Sequence, residues 1–181
     1  MKNKLIIGIL LVSSAFVSCK NEKADAKDSK EIAKIEVDKS FNVIFDMIVE
    51  KDDNFQIYYN EDGSEVFPAD KYVDVAVKGK PGPQEIVFKL PEDAFPESLR
   101  FDIGGNKEQS EMKILNFKMK YYDKTFEAKD TLFIYYFGYN DQIDYIRDKA
   151  IAKAKPIANQ IYDPIFIAKP SLKDQLKKMV K

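Results

Sequence analysis

The chain lacks histidine and tryptophan, has a single cysteine, and includes only two arginines, Arg100 and Arg147, among its 29 basic residues. Without histidine, neither a Ser-His-Asp nor a Cys-His catalytic arrangement can form, and the usual nitrogen ligands of zinc and copper are missing. One cysteine excludes an intrachain disulfide, so burial of apolar side chains must hold the fold. A hydrophobic share of 45% over 181 residues is enough for such a core. No stretch reaches the roughly 18 consecutive apolar residues of a membrane helix. Basic and acidic residues nearly cancel, at 29 against 30, so there is no basic footprint for nucleic acid. No phosphate-binding glycine loop or dinucleotide fingerprint occurs.

What is present begins with an address. Lys2 and Lys4 precede an apolar run from Leu5 to Val17, followed by Ser18 and Cys19. That is the layout of an export signal. Phe16-Val17-Ser18-Cys19 resembles the lipobox of bacterial lipoproteins, in which a small residue stands directly before a cysteine that becomes lipidated. Phe16 stands where leucine is usual. The resemblance implies a signal peptide over 1–18, lipidation at Cys19, and an anchor in the membrane through the N-terminal lipid. Lys20 replaces the aspartate that retains some lipoproteins at the inner membrane. The implied place is therefore the outer membrane, facing the periplasm or the cell surface.

Residues 19–39 are rich in Lys, Asp and Glu and hold no aromatic residue, proline or glycine. A segment that cannot bury itself reads as a charged, flexible tether. From 40 onward the apolar period changes to two. Val43, Phe45, Met47 and Val49 share one face, as do Phe55, Ile57 and Tyr59, then Val73, Val75 and Val77, then Ile86, Phe88 and Leu90. Asp62-Gly63 and Gly79-Lys80-Pro81-Gly82-Pro83 are turn chemistry. In Met112–Tyr122 the apolar phase shifts between Ile114 and Leu115, which predicts a bulge or a strand changing sheets. Thr131–Phe137, apolar on both faces, reads as a central strand. Residues 141–155 fit either an amphipathic helix or a hairpin turning at Asp148-Lys149, with the balance toward the hairpin. Ser171 is expected to cap a short terminal helix with Leu172, Leu176, Met179 and Val180 on one side. These signals predict a mainly β chain. The expected fold is an antiparallel, jelly-roll-like β-sandwich over 40–168 with a short C-terminal helix over 169–181.

Gln84-x-Ile86-x-Phe88-x-Leu90-Pro91, Leu99-Arg100-x-Asp102-x-Gly104, Tyr135-x-Phe137 and Tyr162-Asp163-Pro164 together resemble galactose-binding-like, carbohydrate-binding-module domains. That resemblance covers roughly residues 41–168 and implies glycan binding without catalysis.

Candidate site residues follow from strand alternation. Arg100 and Asp102 share the face opposite Leu99, Phe101 and Ile103. In a chain that prefers lysine, an arginine offers planar, bidentate donors. The pair reads as a clamp for sugar hydroxyls or a carboxylate, or else as a cross-strand ion pair. Tyr58, Tyr59, Tyr121, Tyr122, Tyr135, Tyr136 and Tyr139 could stack on sugar rings or fill a core. Tyr58 and Tyr139 are the expected exposed members. No cofactor is implied; Asp52-Asp53-Asn54 and Asn60-Glu61-Asp62 could offer oxygens to a structural calcium ion, or be solvated turns. The sequence thus points to a non-catalytic, lipid-anchored envelope protein that binds a glycan or a glycan-bearing partner. Docking another envelope protein and a carboxylate-based glycosidase are the alternatives.

Overall fold

The computed structural model describes residues 38–181. The expected signal peptide, Cys19 and the tether as far as residue 37 lie outside the described residues.

Six strand segments behave as their alternation predicts: β1 (Asn42–Ile48), β2 (Asp53–Asn60), β3 (Tyr72–Val77), β4 (Pro83–Lys89), β5 (Ser98–Asp102) and β6 (Met112–Tyr121). They are followed by β7 (Lys124–Lys129), α1 (Phe133–Tyr136), β8 (Phe137–Tyr139), β9 (Ile143–Ile146), β10 (Ile151–Ala154), β11 (Ile165–Ala168) and α2 (Pro170–Val180). The first sheet has the order β4-β1-β6-β10-β9, with β7 also paired to β6, and the second has the order β3-β2-β5-β11-β8. All pairings are antiparallel. The protein is a β-sandwich.

The wrapping follows from three units that each cross between the sheets. β1–β2 is flanked on one side by β4–β3 and on the other by β6–β5. Their crossover loops, 49–52, 78–82 and 103–111, therefore meet at one end, here called the distal end. The chain leads into β1 at the opposite, proximal end, beside the 61–71 and 90–97 loops and the β6–β7 hairpin turn. The distal loops approach closely enough to demand glycine. A Cβ on Gly79 would lie 2.5 Å from backbone atoms of Glu50 and Lys51.

The core is built largely of phenylalanine. Phe45 from the first sheet stacks on Phe101 from the second at 4.1 Å between ring centroids. Phe117, Phe133, Phe137 and Phe166 extend the cluster and are fully buried. Such offset and edge-on pairs contribute about 0.5–1.5 kcal/mol each beyond area burial. α2 seals the core near the proximal end with Leu172, Leu176 and Met179. Lys173 Nζ bonds the Gly63 carbonyl, and Lys124 Nζ bonds the Lys178 carbonyl.

The phase shift in β6 is a bulge. Asp46 faces Asn116 while Met47 faces Ile114, leaving Leu115 as the extra residue. The two halves of β6 then serve different neighbours, β10 before the bulge and β7 after it. Residues 143–154 form the hairpin, with Ile146 opposite Ile151. A 3₁₀ turn at Arg147–Lys149 joins its strands, and Ala150 closes that turn at φ +52°.

Two expectations are corrected. Thr131–Phe137 is not a central strand. Asp130 takes φ +45°, a 3₁₀ turn and α1 follow, and only Phe137 enters a strand, β8, at the sheet edge. Burial there follows a helical turn, with Phe133 and Ile134 inward and Tyr135 65% exposed, so the doubly apolar run wraps a corner of the core. Ser171 is not the cap of α2. Lys169 holds that position without a side-chain bond, Pro170 opens the helix, and the Ser171 hydroxyl donates to the Tyr135 carbonyl instead.

Candidate functional site

β2 and β5 position the site. Phe55, Ile57 and Tyr59 point into the core, so Asn54, Gln56 and Tyr58 line the outer face. Leu99, Phe101 and Ile103 point inward likewise, which turns Arg100 and Asp102 outward. Register then lays two rows across the outer face. Asp74, Gln56 and Asp102 lie side by side in one, and Tyr72, Tyr58 and Arg100 in the other.

In the aromatic row, Tyr58 is sandwiched. Tyr72 stacks on it at 5.0 Å, and the Arg100 guanidinium lies 5.1 Å from its ring centre. Tyr58 is thus half-buried rather than exposed, with both ring faces occupied by its neighbours. Tyr72, absent from the sequence-based candidates, is the more exposed ring of the pair at 40%.

Arg100 is the hub of the site. Its Nε and Nη2 each bond Asp102 at 2.7 Å, and Nη2 also reaches Asp163 at 2.8 Å. The arrangement is neither a cross-strand pair nor a free clamp. It is an in-strand fork, closed by a carboxylate from the segment leading into β11. Among the described residues Nη1 has no acceptor, so two guanidinium donors remain. Burial pushes the Asp102 carboxyl above its ordinary value, and the Arg100 bonds partly pull it back. Burial also opposes the Arg100 charge, but the carboxylates outweigh it and raise that group further.

Beside this hub is a distal groove of about 280 Å³, lined by Asn54, Gln56, Asp102, Gly104, Gly105, Tyr162, Asp163 and Pro164. Its glycine rim is dictated by Asp53. That carboxylate accepts bonds from the Asn54, Gly105 and Asn106 amides and from Gln109 Nε2, at 2.9–3.2 Å. Gly104 has φ +99°, and a Cβ there would lie 2.3 Å from the Asp53 carboxyl group. The Asn54 and Gln56 amides both donate to Asp74 Oδ1, at 3.0 and 2.6 Å. Lys107 Nζ lies 5.7 Å from the centre of the Tyr162 ring, and burial raises the phenol of that residue.

Tyr139 is elsewhere. It pairs opposite Phe166 on the core-facing side of β8, while Arg100 is on the other side of the sheet. It lines a second, open depression with Asn140, Asp144, Tyr145, Ile146 and Lys155, between edge strands β8 and β9, which borders the groove where Asn140 donates to the Asp163 carbonyl at 2.6 Å. The structure therefore gathers Tyr58, Arg100 and Asp102 and sets Tyr139 apart.

Most side chains of the two acidic runs are engaged within the fold. Asp53 is filled by N–H donors, Asp52 pairs with Lys78, and Glu61 pairs with Lys71 while accepting from the Phe95 amide. Asn60 and Asp62 bond within their own turn. Among the described residues no group of three or more acidic or cysteine side chains is gathered for a metal.

The site residues that the alternation did not mark, Tyr162 and Asp163, come from the irregular stretch before β11, about sixty positions from Arg100 in sequence. No periodicity exists there to signal them. Comparison with protein-family models, with curated proteins and with solved structures finds no match for this chain.

Proposed function

We propose that the protein is a non-catalytic, lipid-anchored lipoprotein of the outer membrane, which binds a glycan or a glycan-bearing partner in the distal groove of its sandwich. One observation carries the binding part. The groove sets an aromatic ring, Tyr162, among two carboxylates, two carboxamides and a glycine rim that leaves the backbone open. Sugar hydroxyls both donate and accept, and such a mixed lining serves both needs while the ring covers an apolar C–H face. The shallow form favours weak binding of a chain terminus or a single unit.

Arg100 supports recognition rather than acid–base chemistry. It binds Asp102 and Asp163 through one guanidinium, which orients both carboxylates as fixed acceptors and leaves Nη1 as a donor. Isothermal calorimetry of the full chain in detergent against a broad glycan panel tests the reading. Binding is expected, with Tyr162→Ala and Gln56→Ala each weakening it at least about tenfold, near 1.4 kcal/mol. Absence of binding across the panel, or binding unchanged in both variants, would refute it.

The second reading, docking of another envelope protein, is favoured by the neighbouring β8–β9 side, which meets the groove where Asn140 bonds the Asp163 carbonyl. There, among the described residues, β8 and β9 each have one unpaired edge beside the open depression at Tyr139, and Ile146 is 38% exposed. A stoichiometric partner recovered from solubilised membranes and lost on Ile146→Lys would favour docking over glycan binding.

A further inference from the structure

The proximal end bears an aromatic cluster that is rooted in the core through Tyr121 but leaves its outer rings exposed, away from the groove. Phe95 meets Tyr121 edge-on at 6.4 Å, and Tyr121 meets Tyr122 at 4.7 Å. Phe95 is 47% exposed and Tyr122 is 52% exposed. Tyr122 sits in the β6–β7 turn at φ +51°, where glycine or asparagine is the unstrained choice. A bulky ring at that position costs about 1 kcal/mol, and its packing on Tyr121 leaves half of it exposed.

The cluster lies where the described chain begins. Tyr121 stacks on buried Phe41 at 5.7 Å, and Asp38 pairs with Lys89 at the same end. Only residues 20–37 separate Asp38 from Cys19, a reach of at most about 70 Å when fully extended. With Cys19 acylated, which is the reading this inference rests on, the proximal end is the one leashed nearest to lipid. Rings with a polar edge favour the headgroup zone of a bilayer. Lys120, Asp123 and Lys124 flank the two tyrosines in sequence, and Asp93 stands two places before Phe95, so the charges next to the rings are of both signs and the attraction to lipid is apolar rather than electrostatic. Tethering supplies a local concentration of the order of millimolar, so a weak contact suffices.

We propose that Phe95, Tyr121 and Tyr122 form a docking tip that seats in the headgroup region of a phospholipid bilayer and points the distal groove away from the membrane. The absence of tryptophan makes the test direct, because Tyr122→Trp introduces a single indole that can be excited at wavelengths the tyrosines do not absorb. The full chain, made in a host that acylates it, is reconstituted into phosphatidylcholine vesicles containing lipids brominated near the headgroup. Emission of the introduced indole is expected to shift to the blue and lose intensity, equally at low and high salt. Phe95→Trp should behave alike, while Ile161→Trp beside the groove should show neither change. Protein that floats with vesicles but whose Tyr122→Trp and Phe95→Trp emission matches that of Ile161→Trp would overturn the docking tip and leave the anchor standing. Protein that does not float would overturn both.

Discussion

The hydroxyl of Tyr145 is buried and has no hydrogen-bond partner among the described residues, although its ring packs near Phe133, Tyr139 and Phe166. Burial pushes its phenol up to about 12, which reports the same lack of solvation. An unmatched buried polar group costs about 1–3 kcal/mol, while the ring itself adds favourable burial. Tyr145→Phe removes only the unmatched oxygen. The variant is therefore expected to be more stable by about 1 kcal/mol, with a melting temperature about 3 °C higher for a domain of this size. Urea unfolding followed by circular dichroism at pH 7 measures it, with no change in the slope of the transition.

Alkaline pH gives a second handle on the same group. In the unfolded chain a tyrosine releases its proton near 10, whereas in the fold Tyr145 holds it to about 12. The native state thus binds the extra proton between those values, so its contribution is intact below 10 and is lost as pH rises toward 12. The advantage of Tyr145→Phe should widen across that window and then level off. A variant destabilised by 1 kcal/mol or more at pH 7 would refute the reasoning, because it would mean that the hydroxyl has a partner.

Two further outcomes follow from the loops. Gly104→Ala forces a methyl group onto the Asp53 carboxyl in a backbone conformation that disfavours it, and is expected to cost at least about 2 kcal/mol, whereas Gly105→Ala, with open space around it, should cost under about 1 kcal/mol. Equal losses in the two variants by urea titration would contradict the close approach. At Asp38, the Ser40 amide and then Lys89 hold the carboxyl down to about 2, so its stabilising contribution is present above 3.8 and disappears as pH falls through about 2. Carbon-13 detection of that carboxyl should place its midpoint near 2, and a midpoint close to 4 would show that the bonds do not persist in solution.

Legibility in the sequence tracked burial on one face. β1 to β6 were readable because each alternates cleanly, and the Leu115 bulge was readable because an odd spacing interrupts two even ones. β7 was not, since in Lys124–Lys129 only Phe126 and Ala128 turn toward the core. β11 was missed because four apolar residues after a proline-containing loop carry no period of either kind. The corner at 131–137 misled for a related reason: an apolar run has the same composition whether it lies between strands or turns about a core. In the site, alternation placed Arg100 and Asp102 correctly on one face. It also put Tyr72 on the outward phase of β3, opposite Val73, a signal that was there to be used. The contribution of Asp163 required a tertiary contact that no local pattern encodes.

The position of β11 has an implication for biogenesis. It is among the last segments of the chain, yet it fits between β5 and β8, and Phe166 completes the ring cluster that joins the layers. A nascent polypeptide released amino-terminus first cannot consolidate its second sheet until nearly all of it has emerged. Premature termination before Ile165 would strand two open edges and an unfilled interior, which makes such products targets for proteolysis rather than shortened versions of the native molecule.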